Sequence, residues 1–357
     1  MVILHVAYLN NIKAKGPNIN VPKNIIYGNL HENVGLYNIC QSELAISIPD
    51  DKNFSIAQYE SIESLPEPFN KPDIVIFQGL YYIKYCAMAR KLIKQGIPYI
   101  IVPRCSMTWA AVHSKFLKKK IANILFFNRF VKHAKSIQFL TQNEYEESKK
   151  VFKFQDYYIL GNGVEIPNTY YKVKDRKEFK LVFIARYNIY HKGLDLLLEA
   201  VNNNIGWFRE NFVTLNLYGN DSDNGLAFLK NYISKNGIDD VVKLNGPAFD
   251  KEKEKVLLDS DIFIHTSRLE GQPTAVIEAI SYGIPVIVTP GTNLFDVVSK
   301  YNLGFTTEFG CDEIFNCIKN SFENRKDFKM ISKNELDYAK SNFDWEEIIK
   351  ISIEKYK

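Results

Sequence analysis

The sequence has no long hydrophobic run, no paired cysteines and no strong excess of one charge. No stretch of about eighteen or more apolar residues occurs, so none is predicted to span a membrane. The opening stretch, MVILHVAYLNN, lacks a basic leader and is expected to form a first strand and not a signal peptide. A net charge of +4 is too small to indicate nucleic acid as a partner.

Residues that commonly bind metals are also sparse. The 5 cysteines form no CxxC pair, which favours a reducing compartment such as the cytoplasm and argues against a structural zinc site. The 6 histidines are not spaced like metal ligands, and His265, within a predicted buried strand, is expected to be a core residue. We therefore expect neither a metal nor a cofactor. The cysteines are Cys40, Cys86, Cys105, Cys311 and Cys317.

Short β-rich runs alternate with helical patterns along the whole chain, which predicts an α/β protein with parallel sheets. The polar segment 165–180 lacks apolar periodicity and is the predicted linker. Strand candidates on both sides of it, and a length of 357 residues, favour two domains over one large α/β domain. The strand candidates are 2–8, 73–79, 98–103 and 136–141 before the linker, and 180–186, 214–219, 242–246, 261–267 and 285–289 after it.

The stretch SRLEGQPTAVIEAISYGIPVIV, residues 267–288, places two glutamates beside an apolar helix. Pro273 suits the first position of that helix, so residues 274–276 would offer free backbone N–H groups to an anion. A carboxylate inside an apolar helix is costly unless it is paired, so Glu278 is expected to meet a ligand hydroxyl or a fixed donor. The alternative is an exposed edge of an ordinary helix. Glu270 lies in the loop before it.

Glu270 and Glu278, separated by seven residues and followed by AISYGIPVIVT, resemble the E-x7-E signature of the family 4 retaining glycosyltransferases. Further segments occur in the family's order, with Ala185 where the family usually has Gly. They are FIARYNIYHKGLDLLLEA (183–200), LYGN (217–220), VVKLNG (241–246), LDSDIFIHTSRLEG (258–271), FDWEEIIKISIEKY (343–356) and, more weakly, TQNE (141–144) and LGNGVEIP (160–167).

The resemblance implies the GT-B fold, with two Rossmann-like parallel-sheet domains facing a central cleft. Residues 1–167 would form an N-terminal acceptor-binding domain, and residues 168–340 a C-terminal nucleotide-sugar-binding domain. The C-terminal helix, at about residues 341–357, would pack back on the first domain.

The resemblance also assigns roles to charged residues. Glu278 would bind the ribose hydroxyls of a nucleotide sugar, and Glu270 would lie beside the transferred sugar as a catalytic residue. Arg186 at a strand end and Lys192, expected to open the next helix, would bind the diphosphate and stabilise the leaving group. The alternative interpretation is that Arg186 and Lys192 are ordinary solvated cations on the surface. The other donor-binding candidates are Gly271, Gln272, Pro273, Thr274, Ala275, Gly246, Gly219 and Gly16.

The first half departs from the family pattern at two places. Residues 14–24, where the family often has a glycine-rich loop, contain only Gly16 and no GxGxxG, which argues against a dinucleotide enzyme. Arg104 and Ser106 stand where the family commonly has His-Gly or Arg-Gly, and they are acceptor-side candidates. The alternative for Arg104 is a strand-end salt bridge. Asn162 is a third acceptor-side candidate, with a plain turn as its alternative.

Segment 115–135, KFLKKKIANILFFNRFVKHAK, carries seven Lys or Arg and no acid. One interpretation is a helix packed on its own domain with a solvated basic face. The other is a surface for an anionic membrane leaflet, where such enzymes meet lipid-linked acceptors and where phenylalanines could insert. The apolar residues considered are Phe116, Ile121, Leu125, Phe126, Phe127 and Phe130.

The resemblance therefore implies a metal-independent, retaining hexosyltransferase. It would move a sugar from a nucleotide-diphosphate donor, most simply a UDP-sugar, to a hydroxyl of a glycan or lipid-linked acceptor. The setting would be the cytoplasm or the inner face of the membrane, in bacterial surface polysaccharide synthesis such as capsule or O-antigen. The alternatives are a non-catalytic nucleotide-sugar-binding partner and a sugar-nucleotide epimerase of the same fold; the E-G-x-P and K-G segments favour the transferase.

Overall fold

The structure is a computed structural model that describes residues 1–12, 16–114 and 116–357, apart from the side chain of Phe116. The chain divides into two compact units. The first unit comprises Met1–Gly163 together with Trp345–Lys357, and the second comprises Val164–Asp344. The predicted boundaries were residue 167 and about residue 341.

The first unit is built on a seven-stranded parallel sheet with the order β3-β2-β1-β4-β5-β6-β7. Its central strands are buried along their whole length, as expected when helices cover both faces of a parallel sheet. The strands are β1 (Val2–Ala7), β2 (Asn33–Asn38), β3 (Asn53–Ser55), β4 (Ile74–Gln78), β5 (Tyr99–Val102), β6 (Ser136–Phe139) and β7 (Tyr157–Ile159). The helices are α1 (Gly16–Gly28), α2 (Ile83–Gln95), α3 (Trp109–His113), α4 (Phe116–Ala122), a π-helical turn (Asn123–Phe127), α5 (Asn128–Lys132) and α6 (Gln142–Ser148).

The second unit is built on a six-stranded parallel sheet with the order β10-β9-β8-β11-β12-β13. The strands are β8 (Phe179–Ile184), β9 (Val213–Tyr218), β10 (Val242–Asn245), β11 (Ile262–His265), β12 (Val286–Val288) and β13 (Gly304–Thr306). The helices are α7 (Ile189–Lys192), α8 (Leu194–Asn203), α9 (Ile205–Glu210), α10 (Gly225–Asn236), α11 (Asp250–Asp259), α12 (Thr274–Ser281), α13 (Phe295–Tyr301), α14 (Cys311–Glu323) and α15 (Phe328–Asn342). Two Rossmann-like parallel-sheet domains, as predicted, are thus confirmed.

The last helix, α16 (Trp345–Tyr356), completes the core of the first unit. Trp345 is buried and stacks on Tyr27 of α1, with ring centroids 5.9 Å apart. A Cβ atom on Gly163 would lie 2.8 Å from the Cα atom of Trp345, so only glycine permits this close approach. Ile348, Ile349, Ile353 and Tyr356 on α16 are buried in the same cluster as residues of β1 and α1.

Glu335 on α15 is an unusual member of the second unit's interior. Its side chain is fully buried, and neither carboxyl oxygen has a hydrogen-bond partner among the described residues. Burial raises the pKa of Glu335 well above its ordinary value, which favours the neutral acid. This residue therefore lowers the stability of the fold at a pH where a free glutamate is ionised.

No helix within the described ranges is both long and apolar enough to cross a bilayer.

Candidate active site

Glu270 lies in the loop between β11 and α12, at the carboxyl edge of the second sheet. Its Oε1 accepts a hydrogen bond from His265 Nε2 at 2.7 Å and another from Ser267 Oγ at 2.8 Å, and it forms an ion pair with Lys192. The Oε2 atom makes no hydrogen bond with the described residues. One oxygen is therefore fixed by three donors, and the other is available to a ligand.

Burial and hydrogen bonding determine the protonation states of Glu270 and His265. Burial alone would raise the pKa of Glu270, but the hydrogen bond from His265 and the charge of Lys192 outweigh it and hold that pKa well below its ordinary value. Burial lowers the pKa of His265, so its imidazole is neutral at physiological pH and Nε2 carries the proton that Glu270 accepts. The cluster thus combines a carboxylate, a neutral donor and an ammonium group. His265 is buried, as predicted, but it also contacts Glu270.

The loop that carries Glu270 is held by the connection after β12. Asn293 Nδ2 donates to the carbonyl oxygens of Glu270 and Gly271, at 2.6 and 2.9 Å. Thr289 Oγ1 donates to the carbonyl oxygen of Ser267 at 2.7 Å. The loop conformation is therefore fixed before any ligand binds.

Lys192 is the last residue of α7, whereas the sequence analysis expected it to open a helix. Gly193 separates α7 from α8 with a φ of +62°, and a Cβ atom there would lie 2.1 Å from the carbonyl oxygen of Thr266. This left-handed turn breaks the predicted helix and brings Lys192 against the end of β11. Arg186, after β8, is exposed, and its guanidinium makes no hydrogen bond or ion pair with the described residues.

The start of α12 differs from the prediction in two respects. Pro273 is the N-cap, and the helix begins at Thr274. The N–H groups of Thr274 and Val276 donate to the carbonyl oxygens of Gln272 and Pro273, each at 3.0 Å, because the chain turns tightly into the helix. Of the three amides expected to be free, only that of Ala275 makes no hydrogen bond with the described residues.

Glu278 forms an ion pair with Lys253 of α11. Both side chains are partly exposed, at 30% for Glu278 and 21% for Lys253. The fixed donor that a carboxylate on this helix requires is therefore Lys253, which the sequence analysis did not single out.

The two glycines predicted to bind the donor in this unit have different surroundings. A Cβ atom on Gly219 would lie 1.9 Å from the carbonyl oxygen of Ala185, so glycine is needed there for backbone packing. Gly246 is exposed, and no atom lies within 4 Å of the position its Cβ would take.

In the first unit, Arg104 contacts two amide side chains. Its Nε donates to Gln78 Oε1 at 2.9 Å, and its Nη1 donates to Asn162 Oδ1 at 3.2 Å. It forms no ion pair with the described residues, so the alternative of a strand-end salt bridge is wrong. Ser106 donates its hydroxyl to the carbonyl oxygen of Pro103.

Gly16 is the first residue of α1, also in the first unit. The position of a Cβ atom there is open, with its nearest neighbour 3.8 Å away. Residues 14 and 15 of the predicted loop lie outside the described residues.

The second unit matches a known family. Residues 171–336 match the family model described as Glycosyl transferases group 1. The second unit is therefore similar to group 1 glycosyltransferase domains. An uncharacterized glycosyltransferase of Methanocaldococcus jannaschii, MJ1069, is 25% identical to the chain over 277 residues, or 68% of each sequence.

Solved glycosyltransferases resemble the whole chain in fold. The structure of Anabaena HepE in complex with UDP and glucose has a TM-score of 0.75 at 16% identity, covering 99% of this chain and 98% of that chain. Sucrose-phosphate synthase from Thermosynechococcus elongatus has a TM-score of 0.73 at 15% identity, with coverage of 99% and 98%. The likeness of the two Rossmann-like domains to these enzymes supports the GT-B fold.

Among the residues that the structure describes, no cluster of three or more His, Cys, Asp or Glu side chains is suited to a metal ion.

The basic segment 115–135 forms part of the first unit's surface; Lys115 lies outside the described residues. Phe127 and Phe130 are buried, and Phe126 packs against the core, so these three side chains fit the interpretation of a helix packed on its own domain and not that of membrane insertion. The side of this segment that faces solvent carries other apolar residues. Four aliphatic residues are exposed instead: Leu117 (74%), Ile121 (60%), Ile124 (66%) and Leu125 (60%).

Proposed function

We propose that this chain is a retaining glycosyltransferase of the family 4 type, which transfers a hexose from a UDP-sugar to an acceptor hydroxyl without a metal ion or cofactor. The observation that carries this proposal is the cluster of Glu270, His265 and Lys192 at the carboxyl edge of a parallel sheet. In open α/β sheets, ligands bind at this edge. The similarity to group 1 glycosyltransferase domains around the cluster and the UDP-bound state of HepE support the choice of donor.

In this proposal the donor lies along the loop and helix that follow β11. Glu278 accepts hydrogen bonds from the ribose hydroxyls, and Lys253 keeps its carboxylate in place beforehand. Arg186 and Lys192 bind the diphosphate, and Glu270 offers Oε2 to the sugar. The remaining donor contacts are assigned to Gly271, Gln272, Pro273, Thr274, Ala275, Gly219 and Gly246, and less directly to Gly16.

The chemistry then requires positioning and charge stabilisation more than a covalent nucleophile. The acceptor oxygen bonds to the sugar carbon on the face that the diphosphate leaves, and a donor phosphate oxygen takes the acceptor proton. Negative charge grows on the diphosphate as its bond to the sugar carbon breaks, and Arg186 and Lys192 stabilise that charge. Glu270 is a poor covalent nucleophile because one oxygen already accepts three donors and its pKa is low.

The acceptor is assigned to the first unit, with Arg104, Ser106 and Asn162 as candidate contacts. We infer that the acceptor is a glycan or a lipid-linked sugar and that the enzyme works in the cytoplasm or on the inner membrane face, in surface polysaccharide synthesis. The exposed aliphatic side chains of 117–125 beside Lys118 support attachment to an anionic bilayer, since a surface helix binds membranes through apolar and basic side chains together.

A donor screen followed by a turnover assay tests the proposal. Thermal shift with a panel of nucleotide sugars identifies the donor, and UDP release with a set of sugar acceptors, with and without EDTA, measures transfer. Glu270→Gln is expected to abolish turnover, and Glu199→Gln, an exposed glutamate on α8, serves as the matched control. Donor binding without turnover would favour the non-catalytic partner. An epimerised nucleotide sugar formed without any acceptor would favour the epimerase.

A further inference from the structure

Four polar side chains form a chain of hydrogen bonds within the first unit. Gln78, the last residue of β4, donates Nε2–H to His5 Nδ1 on β1 at 3.0 Å. Its Oε1 accepts from Arg104 Nε at 2.9 Å, and Arg104 Nη1 donates to Asn162 Oδ1 at 3.2 Å. His5, Gln78 and Asn162 are buried. Because Gln78, Arg104 and Asn162 come at or just after the ends of parallel strands, the guanidinium lies at the carboxyl edge of the first sheet.

The charge of Arg104 has no direct counter-ion within residues 1–12, 16–114 and 116–357. Both of its side-chain contacts are to neutral amides, which use two of the five N–H donors of a guanidinium. Burial lowers the pKa of Arg104 to about 10, so the side chain remains charged at physiological pH. Burial also lowers the pKa of His5 to about 3, so the neighbouring imidazole is neutral. The guanidinium therefore keeps its charge without an ion-pair partner among the described residues, and Glu144 attracts it only over a longer distance.

The nearby carboxyl group of Glu144 is already engaged. Its two oxygens accept hydrogen bonds from the backbone N–H groups of Cys105 and Leu140. Glu144 is buried and forms no ion pair with Arg104. It therefore fixes the backbone next to the guanidinium and does not occupy its unused donors.

The backbone at this point is held in a costly conformation. Arg104 and Cys105 have φ angles of 52° and 64°, in the left-handed region that residues with a Cβ rarely adopt. Consecutive residues of this kind persist where surrounding bonds impose them, and they cluster at functional sites. Here Glu144 holds Cys105, and Gln78 with Asn162 holds the Arg104 side chain, so the guanidinium is oriented in advance.

We propose that Arg104 binds the phosphate or carboxylate group of an anionic acceptor, and that Gln78 and Asn162 act as positioning residues. A planar guanidinium with unused donors suits the two oxygens of either group. That this anion is the acceptor of the transfer rests on the proposed function, whereas the anion-binding site itself rests on the geometry of the first unit alone. The donor diphosphate already has Arg186 and Lys192 in the second unit, which makes the acceptor the better match for Arg104.

A binding experiment on the full chain without donor tests this directly. Methyl glucuronide and methyl glucoside differ mainly in one carboxylate, and glucose 1-phosphate adds the phosphate case. We expect calorimetry to show tighter binding of the two anionic sugars, and Arg104→Gln to weaken that binding by about tenfold or more while leaving UDP affinity unchanged. Arg90→Gln, an exposed arginine on α2, is the matched control. Equal binding of charged and neutral sugars to the wild type would overturn the proposal.

A second variant separates positioning from simple stability. Gln78→Glu is nearly isosteric and places a carboxylate against the Arg104 guanidinium, so it should abolish anion binding. Because the carboxylate cannot donate to His5 Nδ1, the neutral imidazole must donate from Nδ1 instead, and the melting temperature checks that the fold is kept. Anion affinity unchanged in both Gln78→Glu and Arg104→Gln would overturn the proposal. Loss of UDP affinity in Arg104→Gln, with anionic sugar binding intact, would reassign Arg104 to the donor. Lack of UDP release with every donor would contradict the proposed function, and the Arg104-dependent binding would still be measured.

Discussion

Lys253 on α11 and Glu278 on α12 form an ion pair between two helices that are joined through β11. Because both side chains are partly exposed, the pair contributes only about 0–1 kcal/mol to stability. Its consequence is orientation: the carboxylate of Glu278 is held in one place before a ligand arrives. Ribose hydroxyls would meet a fixed acceptor, at little entropic cost.

Glu278→Ala should therefore weaken binding of UDP by about tenfold or more, because a charged hydrogen-bond acceptor for the ribose is lost. Pyrophosphate, which has no ribose, should bind the variant as it binds the wild type. Calorimetry with both ligands checks this, and the melting temperature should change little. Equal losses for UDP and pyrophosphate would remove the ribose assignment.

If the proposed mechanism holds, Arg186→Ala and Lys192→Ala should each lower turnover by about 10²–10³-fold, since each would remove a cation from the leaving diphosphate. Their effects on stability should differ. Arg186 has no partner among the described residues, so its loss should leave the melting temperature unchanged. Loss of Lys192 leaves the buried carboxylate of Glu270 without its ion-pair partner and should therefore lower the melting temperature. Steady-state kinetics and thermal unfolding measure both, with the exposed Lys235→Ala as control. A near-normal rate would place that residue outside the site.

Glu270 should stabilise the fold in a pH-dependent way. Its folded pKa lies below the ordinary value of 4.5, so its contribution is present above that pH and is lost as the pH falls below it. Glu270→Gln should lower the free energy of unfolding by about 3 kcal/mol at pH 7, because Lys192 loses its buried partner. The difference from wild type should shrink below pH 4.5. Urea unfolding at several pH values tests this; a difference that is constant with pH would contradict it.

The contribution of Glu335 to stability should change with pH in the opposite direction. Its folded pKa is raised, so the destabilising contribution of Glu335 is absent below the ordinary pKa of 4.5 and grows as the pH rises above it. Glu335→Leu should raise the free energy of unfolding by about 1–3 kcal/mol at pH 7.5, since it removes a buried polar group without partners. The gain should decrease towards pH 4.5. Glu323→Leu, at an exposed position on α14, is the control; an equal gain there would show a general effect of leucine.

The exposed aliphatic side chains of 117–125 should bind the protein to phosphatidylglycerol vesicles. Each cation that reaches the surface contributes about 1 kcal/mol, and salt screens this attraction over about 8 Å at physiological ionic strength. Sedimentation should therefore fall as salt rises. Lys118→Glu with Lys120→Glu, and separately Ile121→Ser with Ile124→Ser, should each reduce it. Lys119 is unsuitable for this test because its ammonium group lies over the Tyr81 ring. A wild type that ignores vesicles at low salt would rule out membrane attachment.

The fold was largely predictable, because parallel strands buried on both faces appear as continuous apolar runs. The nine strand candidates correspond to observed strands, whereas β2, β3, β7 and β13 were not predicted. Strand β2 (NVGLYN) contains Gly and Asn, which lower its β signal, and the other three have only three residues each.

The site was predictable only in part. Glu270 and Glu278 could be found because a local motif surrounds them. Lys253 could not, because the charges of α11 (DKEKEKVLLD) alternate and only the tertiary packing selects the one that meets Glu278. For 115–135 the sequence left two interpretations open, because the π-helical turn at Asn123–Phe127 changes which side chains face the core.

The return of α16 to the first unit determines the order in which the chain can fold as it is synthesised. The second unit, Val164–Asp344, is one continuous stretch of chain that contains its own core. The first unit, although translated earlier, must wait for Trp345 and the apolar side chains after it. The core on one face of its sheet therefore stays incomplete while about half of the chain is translated. A chain that ends at residue 344 would leave this apolar face open to aggregation and proteolysis.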